Sequence, residues 1–219
     1  MKIILFGATG MVGQGVLREC LLDPAVEKVL AVGRTQTGSH DAKLTECIQP
    51  DLFNVALYEQ QLQGFDACFF CLGVSVLGTT EAAYRKLTFT LTLDIAKAIA
   101  RASPQLTFVY VSGAGTDSTE HGRSMWARVK GATENALLKL PFKAAFMFRP
   151  GAIVPLNGIR SKTRLYDFFY TLGRPLLLVL RPVFPQAITT TEQVGRAMLR
   201  VARDGAPKSI LESADINAL

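Results

Sequence analysis

A glycine-rich stretch near the N-terminus has the residue types and the spacing that bind a pyrophosphate. The sequence FGATGMVGQG follows the apolar run KIILFG and opens a helix-like segment, with Gly7, Gly10 and Gly13 three residues apart. Glycine permits a tight turn and a close approach of the backbone to phosphate. A helix N-terminus adds unpaired N–H groups and a positive dipole end. We therefore predict a dinucleotide site here, with contacts from Gly7, Thr9, Gly10, Met11, Val12 and Gly13.

The residue after the second apolar run indicates which dinucleotide binds. The run KVLAVG ends before Arg34, twenty-one residues after Gly13. A cofactor without a 2′-phosphate favours an acidic residue at this point, whereas a guanidinium can pair with a 2′-phosphate. The sequence therefore favours NADP over NAD, with an ordinary surface arginine as the open alternative.

Strand-like and helix-like segments alternate and must position these residues. Apolar runs predict strands at 2–7, 28–33, 44–49, 66–73, 106–112, 143–150 and 209–213. Helical periodicity predicts helices at 10–22, 56–64, 81–102, 124–140 and 189–205. Such alternation favours parallel strands with helices on both faces. We expect an α/β fold of the Rossmann type, a doubly wound parallel sheet with a C-terminal helical segment covering the cleft.

Composition and charge bound the organisation of the chain. With 219 residues, of which 49% are hydrophobic and 19% charged, one globular domain is expected. Its nucleotide-binding core should cover about 1–155, and 156–208 should form a basic, apolar segment for substrate or self-association. The segment from Lys143 to Lys208 has 11 basic and 3 acidic residues, whereas 1–142 has 13 of each. This excess of basic residues is compatible with a solvated surface, with a site for an anionic ligand or with contact to an anionic membrane surface.

The apolar stretch 165–184 is not expected to span a membrane, because it contains Asp167, Arg174 and Arg181. Helices over a substrate cleft, a homo-oligomer surface and peripheral membrane contact through 160–184 stay open as alternatives. The expected partner is an unidentified small-molecule substrate, and no nucleic acid is expected.

The four cysteines indicate a reducing compartment. Cys68 and Cys71 form a CFFC run inside a strand-like segment, where side chains three apart point to opposite faces. Buried free thiols are therefore favoured over a redox or metal site. No apolar segment long enough for a signal peptide follows Lys2. We expect no metal and a cytoplasmic location.

The runs GATGMVG, CLG, VKGATEN and FRPG resemble the short-chain dehydrogenase/reductase superfamily, in its extended and atypical branches. Within these branches the Tat-interacting-protein-like, NmrA-like and epimerase-like NAD(P)-binding proteins are the most similar. The resemblance reaches to about residue 155. It implies that Asp51 and Leu52 lie beside the adenine. It further implies that Cys71, Leu72 and Gly73 lie beside the pyrophosphate and ribose, and that Pro150, Gly151 and Ile153 lie beside the nicotinamide.

The resemblance also implies a catalytic set in which one residue is replaced. In that superfamily a serine ends the fifth strand, and a Tyr-x-x-x-Lys pair lies on the next helix. Here Ser112 and Lys130 match, but Trp126 takes the place of the tyrosine. An indole N–H donates a hydrogen bond but does not titrate usefully, so Trp126 can orient a carbonyl or stack on a ring. Ser112 and Lys130 are also implied cofactor contacts.

Two functions therefore stay open. The first is an NADP(H)-dependent reductase or epimerase with altered acid chemistry, for which Tyr166, His121 and Tyr84 are candidate replacement acids. The second is a non-catalytic nucleotide-binding regulator or scaffold. A Ser112–His121–Asp117 hydrolase is disfavoured, because the nucleophile motif G-x-S-x-G is absent around Ser112.

Overall fold

Nine strands and six α-helices are found in the computed structural model, which describes residues 1–159, 184 and 186–219. The strands are β1 (Lys2–Phe6), β2 (Lys28–Gly33), β3 (Leu44–Ile48), β4 (Ala67–Phe70), β5 (Thr107–Val111), β6 (Ala144–Arg149), β7 (Ala152–Val154), β8 (Ile188–Thr190) and β9 (Ile210–Glu212). The helices are α1 (Met11–Leu22), α2 (Glu81–Arg85), α3 (Leu91–Ala102), α4 (Met125–Leu137), α5 (Thr191–Asp204) and α6 (Ser213–Ala218).

Seven of these strands form one parallel sheet in the order β3-β2-β1-β4-β5-β6-β9. The short apolar runs suit this arrangement because both faces are covered. In β1, Ile3 and Leu5 pack into one core cluster, while Ile4 and Phe6 pack into the other. The predicted α/β class and parallel sheet are confirmed. The strand order reverses between β1 and β4, which is where open α/β sheets bind ligands.

Two predictions between residues 56 and 73 were wrong. The helix expected at 56–64 is two 3₁₀ helices, Val55–Leu57 and Glu59–Leu62. Tyr58 interrupts it with a φ of −133°, because its buried hydroxyl donates to the Leu52 carbonyl at 2.7 Å. The strand expected at 66–73 ends at Phe70, so residues 71–73 leave the sheet as a loop.

The long helix expected at 81–102 is one continuous helical stretch, but part of it is not α-helical. A π-helical turn, Lys86–Thr90, joins α2 to α3 at the threonine-rich stretch. The separate parallel pair β7–β8 was not predicted, since each strand has only three residues. At α5 the side chain of Thr190 caps the helix, with its hydroxyl accepting from the Gln193 N–H at 3.0 Å.

The C-terminal elements complete the core around α1. A Cβ on Gly15 would lie 2.6 Å from the Thr191 Cβ, and a Cβ on Gly195 would lie 2.8 Å from the Glu19 side chain. Glycine at both positions therefore allows α1 and α5 to pack closely. Beside this contact, the buried Glu19 carboxylate pairs with Arg196 at 3.1 Å.

The segment predicted to cover the cleft, to contact a membrane or to self-associate lies largely outside the described residues, which exclude 160–183 and 185. No helix in the described part of the chain has the length and hydropathy of a membrane span.

Candidate functional site

A cavity of about 700 Å³ opens at the carboxyl edge of the sheet, where the loops after β1, β2 and β4 meet. Ten of the predicted cofactor contacts line it. They are Gly7, Thr9, Gly10, Met11, Arg34, Asp51, Leu52, Cys71, Leu72 and Gly73. The other predicted site residues do not line it, and they are Val12, Gly13, Ser112, Trp126, Lys130, Pro150, Gly151 and Ile153.

The end of the cavity beside α1 is shaped for phosphate. Gly7 has a φ of +80°, and a Cβ there would lie 2.7 Å from the Cys71 backbone. Gly13 packs against the same turn, since its Cβ would lie 2.0 Å from the Gly7 carbonyl oxygen. The first turn of α1 has neither a side-chain cap nor an acidic residue. An anion placed there would meet only N–H donors and the positive end of the helix dipole.

The loop after β2 forms a mixed-charge end of the cavity, lined by Arg34, Thr35, Thr37 and Glu46. Arg34 is exposed, and within the described residues it has no hydrogen bond or ion pair. Glu46 lies in β3, and its carboxylate accepts from the Thr37 N–H at 2.6 Å. Sequence reasoning missed Glu46, because it lies within a predicted strand, away from the glycine motif.

The wall between the loops after β3 and β4 is partly apolar. Asp51 accepts from the Phe53 N–H at 2.9 Å, and Leu52 is buried beside it. Cys68 and Cys71 point into different core clusters, as their spacing predicted. Burial raises the pKa of the Cys71 thiol, so it is a poor nucleophile.

Ser112 lies at the end of β5, but its hydroxyl faces the protein interior. It donates to the Glu134 carboxylate at 2.5 Å and lies 3.1 Å from the Phe148 carbonyl oxygen. The Lys130 amine donates to the Ser112 carbonyl oxygen. Burial lowers the pKa of Lys130 to about 8, against the smaller, opposing effect of the Glu134 charge. The structure therefore brings Ser112 and Lys130 together, with Lys130 bound to the serine backbone.

Trp126 lies one helical turn before Lys130 and packs beside the loop after β5. Its ring lies 3.6 Å from where a Cβ on Gly115 would stand. The indole N–H has no partner within the described part of the chain. Trp126 can therefore donate one hydrogen bond or stack on a ring, but it cannot serve as a proton donor.

A buried ion pair behind Ser112 was not predicted from the sequence. Glu134 is fully buried and pairs with Arg149 at the end of β6, whose Nε lies 3.1 Å from both carboxylate oxygens. Arg149 also donates to the Ser118 hydroxyl at 2.5 Å. The available signal was Glu134 itself, because a carboxylate one turn after Lys130 on the buried stripe of a helix needs a partner.

None of the candidate replacement acids is favoured. Tyr84 is 2% exposed, and burial raises its pKa. His121 is exposed, and Tyr166 lies outside the described residues. The hydrolase triad does not form, because the Asp117 carboxylate binds Thr119 and Gly122 in its own loop, at 2.6 Å each.

The sequence matches a known protein family. Residues 3–125 match the model of the NAD dependent epimerase/dehydratase family. The chain belongs to this family. The matched region contains all the described residues that line the nucleotide cavity, and it stops before Trp126. The predicted resemblance to extended short-chain dehydrogenases/reductases is thereby confirmed.

Curated relatives come from fungi. The mitochondrial protein fmp52 of Emericella nidulans is 31% identical over 173 residues, covering 74% of this chain and 70% of the relative. The mitochondrial protein fmp-52 of Neurospora crassa is 26% identical over 214 residues, covering 91% and 84%. These names overturn the predicted cytoplasmic location, which is wrong. Free cysteines report a reducing environment and do not distinguish one such compartment from another.

Solved structures of NAD complexes share the fold. MoeE5 in complex with UDP-glucose and NAD has a TM-score of 0.70 at 18% identity, covering 96% of this chain and 75% of that one. UDP-glucuronic acid 4-epimerase from Bacillus cereus in complex with NAD has a TM-score of 0.68 at 14% identity, covering 96% and 76%. At these identities the likeness concerns the fold alone.

The residues present fit the dinucleotide that this family binds. The tight approach at Gly7, the uncapped start of α1 and the cavity volume together make a phosphate cradle. When bound, a nicotinamide dinucleotide supplies hydride transfer. Lys130 and Trp126 do not line this cavity, so their predicted contacts with the nicotinamide and the substrate stay predictions.

Proposed function

We propose that the protein is an NADP(H)-dependent member of its family that acts as a reductase or epimerase on a small carbonyl-containing substrate. The observation that carries the proposal is Arg34, an exposed cation without a partner among the described residues at the ribose end of the cavity. No acidic residue follows β2 directly, so the ribose-binding carboxylate expected for NAD is missing from that position.

In this proposal Lys130 holds the nicotinamide ribose, and Trp126 packs against the substrate. A general acid contributes on the order of 10²–10⁴ in rate, so we expect slow chemistry without the tyrosine. Ser112 has a positioning role, because its hydroxyl is bound to Glu134 and its carbonyl oxygen accepts from Lys130.

The second candidate is a nucleotide-binding regulator without turnover. It is favoured by one observation, the burial of the Ser112 hydroxyl, which is 7% exposed as a residue and bonded within the protein. In a reductase that hydroxyl would be expected to face the substrate.

Calorimetric titration of NADPH and NADH tests the cofactor proposal. We expect wild type to bind NADPH more tightly. Arg34→Ala should weaken NADPH binding about 10- to 100-fold, the value of one charge-assisted hydrogen bond, and should leave NADH nearly unchanged. Lys97→Ala is the matched control, because Lys97 is an exposed cation on α3 that does not line the cavity. Equal affinities that Arg34→Ala leaves unaltered would overturn the NADP(H) preference.

Single-turnover NADPH oxidation at high enzyme concentration, over a panel of carbonyl compounds, then separates the two candidates. Oxidation that depends on Lys130 supports the reductase. Tight NADPH binding without oxidation of any compound supports the regulator.

A further inference from the structure

The mixed-charge end of the cavity contains a negative charge, and the cofactor motif that includes Arg34 does not account for it. Arg34 is cationic, and Glu46 lines the same cavity from the neighbouring strand β3. The register pairs Glu46 with Ala31 of β2, which is itself a cavity residue. A carboxylate therefore lies in the wall that would face the adenosine ribose.

The Glu46 side chain is fixed in place. One oxygen accepts from the Thr37 N–H at 2.6 Å, across the loop that carries Arg34 and Thr35. No other partner of Glu46 is found within the described residues, so its charge is not neutralised by an ion pair. The carboxylate is half-buried, and solvent screens it less than a fully exposed group.

We propose that Glu46 is a specificity-determining residue that weakens the preference for a 2′-phosphate and lets the site also accept the 2′-hydroxyl of NAD(H). This inference rests on the proposed nucleotide function. A carboxylate can accept from a ribose hydroxyl, whereas it repels a phosphate that carries nearly two negative charges. Arg34 then favours the 2′-phosphate and Glu46 disfavours it, so the preference for NADPH over NADH depends on the balance between these two side chains.

The test uses Glu46→Gln, which keeps a side-chain oxygen for the Thr37 N–H and removes the charge. NADPH and NADH are titrated calorimetrically into wild type, Glu46→Gln and Asp94→Asn. Asp94 is the matched control, an exposed carboxylate on α3 outside the cavity. We expect Glu46→Gln to raise the NADPH-over-NADH preference by roughly three- to tenfold, and Asp94→Asn to leave it unchanged. The gain should shrink in high salt, because it arises from charge.

Two results would overturn the proposal. One is an unchanged preference in Glu46→Gln; if both nucleotides are lost equally, Glu46 has a loop-positioning role only. The other is an equal gain from Asp51→Asn, which would mean that the total charge of the cavity decides the preference.

Failure of the proposed function gives a different pattern. If wild type prefers NADH and Arg34→Ala changes nothing, the NADP(H) assignment fails. Tighter NADPH binding by Glu46→Gln would still support the role of Glu46. Binding of neither nucleotide by wild type would overturn both.

Discussion

Lys130 places a positive charge where burial disfavours it, and the cost should be visible in the pH dependence of folding. Its pKa is lowered from 10.5 to about 8, chiefly because burial disfavours the charged amine. Between these values the unfolded chain binds more protons at Lys130 than the folded chain does. The free energy of unfolding therefore rises with pH across this window, and this contribution is lost again as the pH falls towards 8.

Linkage gives the size of the effect. With an unfolded pKa of 10.5 and a folded pKa of about 8, Lys130 should add about 2.5 kcal/mol to the free energy of unfolding between pH 7 and pH 10. Lys130→Met removes the titrating group and keeps an unbranched apolar side chain of similar length. The variant should therefore lack this rise, while other groups titrate as in wild type.

The assay is urea unfolding of wild type, Lys130→Met and the exposed-site control Lys97→Met at pH 7 and pH 10. The difference between the two pH values is compared across the three proteins, so that titrations common to all of them cancel. Lys97→Met should behave as wild type. An equal pH dependence in Lys130→Met and wild type would refute the reasoning, because it would mean that the amine keeps its ordinary pKa in the folded protein.

Two further predictions concern the site directly. Trp126→Tyr places a phenol one turn before Lys130, and single-turnover NADPH oxidation should rise by on the order of 10²-fold if the cleft is that of a reductase. A fall in rate would instead mean that the indole contacts the substrate and that the acid lies elsewhere. Gly13→Ala puts a Cβ 2.0 Å from the Gly7 carbonyl oxygen, and it should cost about 1–3 kcal/mol in urea unfolding and abolish nucleotide binding. Gly10→Ala meets nothing closer than 3.3 Å, so it should lose nucleotide binding with a smaller loss of stability; equal stability losses in the two glycine variants would contradict the packing argument.

The nucleotide half of the fold could be predicted from the sequence because its signals are local. Apolar runs mark β1 and β2, and Gly13 packs against the turn at Gly7, only six residues before it. Elements that depend on contacts outside their own segment were missed or changed. The helix expected at 56–64 gave way to 3₁₀ turns because Tyr58 is held by Leu52. The β7–β8 pair joins segments more than thirty residues apart.

In the candidate site, too, local signals were predicted and contacts between separate elements were not. Four of the six contacts predicted in the glycine motif line the cavity, as does Arg34, because the motif and Arg34 directly follow β1 and β2; Val12 and Gly13 do not line it. The ion pair of Glu134 with Arg149 could not be read from spacing, because the partners come from α4 and the end of β6. The superfamily resemblance identified Ser112 and Lys130 but not the direction of the serine hydroxyl, which Glu134 determines.

The close packing of α5 against α1 has a consequence for how the chain is made. Every described residue that lines the nucleotide cavity has been synthesised once Leu91 is added, whereas the helix that covers α1 begins only at Thr191. In the interval, the side of α1 that carries Val16 and Cys20 lacks its cover. We therefore expect a nascent chain halted before Thr191 to expose apolar surface, and to need protection from aggregation although its phosphate loop has already been synthesised.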